Sequence, residues 1–483
     1  MKNGLILFCA ALTASAALAQ TPPVTTPPVP QAGNEIAPAP ATAGVTRLTF
    51  EEALNRAMSV NNTVERAQAD VGAAEANRKF LLSNVLPRVN ATGNLQRNSE
   101  SVTLNGFGGT SGPIQLLPAS DWNYRIVLSQ PVFAGLREQR AYSQARIGVG
   151  NAREALLGTQ DAVLLRVASN YLAVVNADAR IDIEHRNIDI AEQQRKQAQA
   201  FYEAGETTRV DVLRAETALK ASQRALAVAQ QAREDAVSRL RADLDLNTNL
   251  DTVAPAHAFP PLPDETTLVA RAEAERPDVA LAANNLRIAH LEVQKQKGFW
   301  LPVVTFEAGY LNQKSAFPAP KYGYGVLHFT VPIWQSGEVE ARVAGAKERE
   351  LQATLDLDTA RTNAREDVRT ATADLRSAET TLQLGKEQLA AAEAEYAQVS
   401  DLYRAQEATS LDVASSEATL ADARRAVAED TLNRDVAELR VWYAAGAIKP
   451  ALGVHGVAQA FQPAPAQTGM SASHETELGA AQE

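Results

Sequence analysis

The sequence contains little cysteine, few aromatic residues and fewer basic than acidic residues, and each shortage argues against a class of protein. The 483 residues include one cysteine, aromatic side chains make up 5% of the chain, and the 46 Lys and Arg residues are outnumbered by 57 Asp and Glu. The resulting net charge of −11 excludes the basic face that a nucleic-acid binder needs to follow phosphates. No run of about 20 apolar residues is present, which excludes a membrane-spanning helix.

The two ends of the chain read as processing or linker segments. Residues 1–19 combine Lys2, an apolar stretch and small residues before a cleavage site after Ala19, which predicts a secretory signal peptide. The alternative is a short buried N-terminal helix. Cys9 lies inside this segment, so the exported chain is expected to contain no cysteine, which excludes disulfides and thiol catalysis. Residues 20–46 are rich in Pro, Thr and Ala and predict a disordered linker, and residues 447–483 predict a C-terminal segment with a disordered tail.

The body of the chain is an internal duplication. Two pairs of motifs are separated by 215 residues, and the later pairs by 201 residues, which places one shorter loop in the second copy. The predicted copies span 47–246 and 265–446, joined by a connector at 247–264. The matched motifs are LPRV at 86–89 with LPVV at 301–304, SQPVFAG at 129–135 with VPIWQSG at 331–337, and AGETTRVDVL at 204–213 with AQEATSLDVA at 405–414.

Each copy has the same predicted order of elements: a helix, two short alternating segments, a very long helix, a turn and a returning helix. A seven-residue repeat on the long helices predicts a packing seam between helices. The seam residues are Val368, Leu375, Leu382, Leu389, Tyr396 and Tyr403 in the second copy, and Val167, Val174, Ile181, Ile188, Arg195 and Tyr202 in the first. The predicted helices are 49–85, 136–204 and 209–246, then 265–300, 338–405 and 410–445. A helix of about 69 residues spans roughly 100 Å, so the helices are expected to form elongated hairpins.

The short segments alternate between apolar and polar residues, as strands of a transmembrane barrel do. Half of the aromatic residues fall in windows 100–134 and 299–334, which is typical of the aromatic belts at a membrane surface. The strand aromatics singled out are Trp122, Tyr124, Phe306, Tyr310 and Phe329. Four strands cannot close a barrel, and an open edge is not tolerated in lipid, so several chains are expected to contribute strands. Two soluble hairpins remain the alternative interpretation.

With this order of elements and these motifs, residues 47–446 resemble the TolC family of outer-membrane efflux proteins. The resemblance implies a mostly α fold with a small β part. Duplicated α-helical hairpins would form a homotrimeric periplasmic tunnel, and four strands per chain would enter a shared 12-stranded β-barrel in outer-membrane lipid. It also implies a passive exit duct for efflux or type I secretion, with a periplasmic adaptor and an inner-membrane pump as partners. No cofactor and no enzymatic activity are implied, and the transported substrate is not specified.

The resemblance also implies that the turns 205–208 and 406–409 form the periplasmic tip and gate. The residues expected there are Gly205, Thr208, Asp211, Gln406, Thr409, Asp412 and Ser415. Asp412 matches an acidic position at the family's tunnel entrance. A second acid of some members is Ser415 here, and a latch arginine of some members falls at Ala408, so these parts of the family's gate are in question. The alternative role for both Asp residues is to stabilise the N-terminus of a helix.

The remaining polar residues predict no reactive centre. The six His residues have no spacing typical of metal ligands, and His328 is expected to line a pore. The glycine-rich segment 105–109 lacks the following helix of a phosphate-binding loop and predicts an external loop. Two further hypotheses compete with the exit duct: an exported periplasmic adaptor with coiled-coil hairpins, and a soluble exported structural protein.

Overall fold

The computed structural model describes residues 46–104, 114–253, 259–314 and 320–454. The predicted signal peptide, linker residues 20–45, loop 105–109 and tail residues 455–483 lie outside these ranges, and those predictions stay predictions. In chain order, the elements are β1 (Thr46–Leu48), α1 (Phe50–Val60), α2 (Asn62–Ser83), β2 (Arg88–Arg97), β3 (Val102–Leu104), β4 (Ile114–Leu117), β5 (Ser120–Ala134), α3 (Arg137–Glu203), α4 (Arg209–Asp243), β6 (Leu250–Thr252), α5 (Glu265–Glu275), α6 (Pro277–Lys297), β7 (Val303–Gln313), β8 (Lys321–Thr330), α7 (Glu338–Arg404), α8 (Ser410–Ala444) and α9 (Ile448–Ala451).

The duplication read from the sequence is repeated element by element. The long helices α3 and α7 each contain 67 residues, the returning helices α4 and α8 each contain 35, and both pairs are offset by 201 residues. A helix of 67 residues extends for about 100 Å at 1.5 Å per residue. Across the described part of the chain, every helix is either too short or too polar to cross a bilayer.

The first helix of each copy is broken, where the sequence predicted one continuous helix. In the first copy, Asn61 is extended (φ −75°, ψ 118°) and its side chain caps α2 by accepting from the Thr63 amide. In the second copy, Arg276 is extended because it precedes Pro277, which disfavours the helical region for its neighbour. The Arg276 guanidinium bonds Asp278 at 2.7 Å and Asp367 on α7 at 2.8 Å, so the break is fixed to the long helix.

The four predicted strand segments form one antiparallel sheet in the order β2-β5-β7-β8. Its register pairs Val89 with Leu128, Leu128 with Ala308, and Ala308 with Gly325. Two smaller sheets are separate from it: a parallel pair of β1 and β6, and an antiparallel pair of β3 and β4. The predicted connector 247–264 contains β6.

The buried core follows the helix seams. In the second copy the predicted seam residues Val368, Leu375 and Leu382 are buried. In the first copy, Val167 and Val174 are buried, but towards the turn the predicted seam is wrong, since Tyr202 is exposed. There the buried side of α3 is shifted and consists of small and polar residues, namely Ala177, Glu184, Asn187, Ala191, Gln194 and Ala198.

Candidate functional site

The two predicted tip turns have the same backbone. Gly205 and Gln406 occupy equivalent positions and both adopt positive φ, 77° and 64°. The amides of Glu206 and Glu407 each bond back to a carbonyl five residues earlier, which ends the long helices tightly. Glycine adopts this conformation freely, whereas Gln406 holds a backbone that L-residues rarely use.

An aspartate and a threonine cap the helix that follows each turn. The Asp211 Oδ2 atom accepts from the Thr208 amide at 3.1 Å and from the Thr208 hydroxyl at 2.7 Å. The Asp412 Oδ2 atom accepts in the same way from the Thr409 amide at 2.9 Å and hydroxyl at 2.7 Å. These reciprocal bonds are capping boxes, so the helix-stabilising role considered for both residues is present.

The turns contact each other through the first aspartate. The Ser410 hydroxyl donates to the Asp211 Oδ1 atom, and the Arg214 guanidinium lies 3.4 Å from both Asp211 Oδ1 and the Ser410 hydroxyl. The Gln406 amide donates to Glu206 at 2.7 Å. The Ser410 bond, followed by those from Thr208 and Thr207, lowers the pKa of Asp211 well below its usual range. The carboxylate therefore stays charged and holds the start of α8 against the first copy.

The other predicted tip residues of the second copy face solvent. Asp412 is exposed, and the Thr409 hydroxyl and amide lower its pKa. Ser415 is also exposed. Neither side chain forms a hydrogen bond or ion pair with the first turn among the described residues. The predicted tip residues thus divide into Asp211 and Gln406, which join the two turns, and Asp412 and Ser415, which do not.

Sequence reasoning missed the polar residues buried behind the turns. Glu184 on α3 is 2% exposed and accepts from the Arg425 guanidinium on α8 at 2.7 Å and 3.2 Å. Glu417, also on α8, is 9% exposed, and Tyr403 at the end of α7 is 7% exposed. A signal for Glu417 was available: it lies four residues after Val413 and three before Leu420, so it shares their apolar helix face.

The antiparallel sheet has one apolar and one polar face. Its register places all five predicted strand aromatics on the apolar face. Its apolar and small residues are Val89, Ala91, Gly93, Leu95, Trp122, Tyr124, Ile126, Leu128, Val304, Phe306, Ala308, Tyr310, Gly323, Gly325, Leu327 and Phe329, and the polar residues Gln130, Asn312 and Lys321 lie on the same side of the sheet. Many of its large side chains are exposed in the single chain, Leu95 by 82% and Phe329 by 65%. Apolar area of this extent marks a contact with lipid or protein.

The opposite face carries polar and charged side chains. His328 lies on this face, with its Nε2 atom 4.0 Å from Glu307, and the Tyr324 hydroxyl donates to Glu307 at 2.8 Å. The Tyr324 ring crosses Gly309, where an added Cβ would lie 2.6 Å from the ring. Within the described residues, no group of three or more His, Cys, Asp and Glu side chains is arranged to hold a metal ion.

Comparison with known proteins finds similarity over most of the chain. The family model for outer membrane efflux proteins matches residues 53–244 and 268–447. The outer membrane efflux protein BepC of Brucella suis biovar 1 (strain 1330) is 23% identical over 372 residues, which is 76% of this chain and 78% of that relative.

Solved structures share the fold at low sequence identity. The Campylobacter jejuni CmeC outer membrane channel superposes with a TM-score of 0.70 at 15% identity, covering 83% of this chain and 86% of that one. The Neisseria gonorrhoeae MtrE outer membrane channel, solved in its open state, gives a TM-score of 0.69 at 17% identity and covers 83% and 89%. The predicted TolC-type fold, outer-membrane location and role in efflux are confirmed, and the chain belongs to the outer membrane efflux protein family.

Proposed function

We propose that this chain is one protomer of a homotrimeric exit duct, which conducts substrates passively from an inner-membrane pump across the periplasm and the outer membrane. One observation carries the proposal: the same chain contains a sheet with one apolar and one polar face, and two helices of 67 residues each. The sheet suits a bilayer with its polar face towards a lumen, and the helices reach far beyond a hydrocarbon core about 30 Å thick.

The edges of the sheet support a shared barrel. Among the described strands, β2 and β8 each pair on one side only. Unpaired backbone groups are costly in lipid, so β8 of one protomer is expected to pair with β2 of the next. Three chains of four strands would then close a 12-stranded barrel. His328, Glu307 and Tyr324 would line its lumen.

The turns support a tip that meets other proteins. They lie at the end of both hairpins, far along the helices from the sheet, and their second-copy acids are exposed. We assign Asp412 to the tunnel entrance and the two turns to contact with a periplasmic adaptor that is coupled to an inner-membrane pump. Energy for transport would come from that pump, so the chain itself would act without catalysis or cofactor.

The two faces of β7 provide the test. Phe306 and Thr305 are neighbours on opposite faces, so Phe306→Lys places a charge in lipid while Thr305→Lys places it in the lumen. A lysine on the lipid face costs about 2 kcal/mol in a barrel, decreasing towards the membrane surface. Outer-membrane fractions of cells expressing the full chain should contain a heat-dissociable trimer, which Phe306→Lys depletes and Thr305→Lys retains.

Two outcomes would contradict the proposal. Recovery of the wild-type chain as a soluble monomer would favour the exported adaptor or structural protein instead. Equal tolerance of lysine at both positions would contradict the assignment of the apolar face to lipid.

A further inference from the structure

Glu417 is a largely buried glutamate whose carboxyl group has no partner among the described residues. It is 9% exposed, and it forms no hydrogen bond or ion pair with any described residue. Burial of a carboxylate without compensation is costly, and natural proteins rarely retain such a group in a packed position. The equivalent residue of the first copy, Glu216, is exposed on α4. The burial of Glu417 is therefore a feature of α8 and not of the repeat.

Glu417 lies where α8 packs against the first hairpin. It borders two cavities, and both are also lined by Ala218 on α4 and Ala414 on α8. The one towards the turns is narrow, with about 20 Å³ open to a water-sized molecule, and is lined as well by Gln194 of α3 and Tyr403 of α7. The other is an open groove between α3, α4 and α8. We call this contact of α8 with α3 and α4 the α8 seam.

The charged groups around Glu417 either form ion pairs with other residues or form none with Glu417. Glu184 on α3 binds Arg425 on α8, which also binds Asp422, and Asp211 on α4 binds Arg214. Two further arginines, on α3 and α4, line the groove without forming an ion pair to Glu417, namely Arg180 and Arg224. The Tyr403 hydroxyl on α7 is buried and also lacks a hydrogen-bond partner among the described residues.

We propose that Glu417 makes the α8 seam proton-sensitive: the protonated carboxyl permits α8 to pack against α3 and α4, and ionisation favours their separation. The seam is held on either side of Glu417 by polar contacts, from Ser410 to Asp211 at the turns and from Arg425 to Glu184 further along. Between these contacts the seam is lined by Ala414, Ala218 and Ala421. The arginines that border the groove form no ion pair with Glu417, so its charge is not offset in the packed seam.

The direction of the effect follows from the burial. Burial raises the pKa of Glu417 to about 7 from its ordinary 4.5. A carboxyl whose pKa is raised in the packed state binds more protons there than in the separated state, so the packed seam is most stable below 4.5. That stability decreases as the pH rises from 4.5 through about 7, and above this pH Glu417 is charged in both states. A pKa difference of one unit corresponds to a tenfold change in the equilibrium.

Distance measurement across the seam tests the proposal. Spin labels at Lys220→Cys on α4 and Thr419→Cys on α8, with Cys9→Ser, report separation in the purified full-length protein; both positions are exposed. Between about pH 5 and about pH 8, we expect the ratio of separated to packed populations to rise at least about tenfold. Glu417→Gln, which imitates the protonated carboxyl, should keep the low-pH distance throughout. Glu216→Gln, the matched control, should respond to pH as the wild type does.

Two results of these measurements would contradict the proposal. A pH-independent distance in the wild type, or an unchanged pH response in Glu417→Gln, would overturn the proposal. If Glu417→Gln fails to assemble, Glu417→Leu is a second variant that removes the charge. The pH titration of the wild type alone can also refute the proposal. Conductance of the channel in planar bilayers should follow the same pH step; this readout alone rests on the proposed function. A protein that never conducts contradicts that function, while the distances still support or overturn the role of Glu417.

Discussion

The two copies of the repeat have the same backbone but different polar contacts. Arg425 in the second copy and Arg224 in the first occupy equivalent positions on α8 and α4. Arg425 binds buried Glu184, whereas the position equivalent to Glu184 in α7 is Gly385. An added Cβ at Gly385 would lie 2.9 Å from an oxygen of Asp430 on α8, so a glutamate there would displace the Asp430 side chain.

The two turns also differ in their polar contacts. Asp211 and Asp412 make matching capping boxes, but only Asp211 also accepts a bond from the other copy, through Ser410. Arg209 stands in the first copy where Ser410 stands in the second. The repeat therefore supplies helices of equal length, while the residues that depart from it join the two hairpins. Contacts between the hairpins are where a change in the position of α8 would be controlled.

The largest expected effect comes from breaking the buried ion pair. Arg425→Ala leaves the Glu184 carboxylate buried without its cation, and removal of one member of a buried pair costs about 3 kcal/mol or more. Because Arg425 is partly exposed, we expect the lower end of that range. Arg224→Ala is the matched control, since Arg224 is exposed and makes no ion pair among the described residues; it should cost less than about 0.5 kcal/mol.

Native-state hydrogen exchange measures this difference. Arg425→Ala should increase exchange of the α8 amides near residue 425 and leave the α4 amides near residue 224 unchanged. Equal exchange in the two variants would show that the two copies are held together by their repeated features, contrary to the structure.

A smaller effect is expected when the capping aspartates are removed. Asp211→Ala removes a helix cap and the bond from Ser410, for an expected loss of about 2 kcal/mol at the turns. Asp412→Ala removes only an exposed cap, and its effect on stability should be smaller. Because the pKa of Asp211 is lowered, its contribution is complete above the ordinary value of 3.8 and is lost only as the pH falls through the lowered pKa.

Ion selectivity of the pore should rank the two aspartates in the reverse order, with the larger effect from Asp412. Asp412 is exposed and assigned to the entrance, so Asp412→Asn should lower the cation preference of the reconstituted pore more than Asp211→Asn does. Hydrogen exchange at the start of α8 is the companion measurement. A stronger effect of Asp412 on exchange than on ion selectivity would show that it acts as a cap alone.

The sequence predicted what repeats and what alternates. The offset of 201 residues, read from matched motifs, places α3, α4, α7 and α8 to within a few residues. Period-two alternation finds the four strands of the sheet, because apolar side chains recur there at regular spacing. The break at Arg276 was also readable, since Pro277 follows it. The break at Asn61 has a weaker signal, because asparagine is a preferred N-cap residue but also occurs inside helices.

The polar side of α3 was not predictable for a related reason. A search for apolar heptads selects Ile181, Ile188 and Tyr202, but the residues that face α7 and α8 are small or polar, such as Glu184, Gln194 and Ala198. Their burial depends on partners in the other copy: Arg425 for Glu184, and the Tyr396 hydroxyl for Gln194 at 3.0 Å. These contacts join residues 241 and 202 positions apart and leave no trace in local periodicity.

The smallest expected effect concerns two tyrosines that the repeat places at equivalent positions. Tyr403 is 7% exposed and its ring meets Phe201 edge-on at 5.6 Å, whereas Tyr202 is 40% exposed. The Tyr403 hydroxyl is buried without a partner among the described residues, so Tyr403→Phe removes an uncompensated polar group and keeps the ring contact. We expect a stabilisation of up to about 1 kcal/mol at the turns, measured by hydrogen exchange, and no change for Tyr202→Phe. Destabilisation by Tyr403→Phe would instead show that the hydroxyl has a hydrogen-bond partner in the assembled protein.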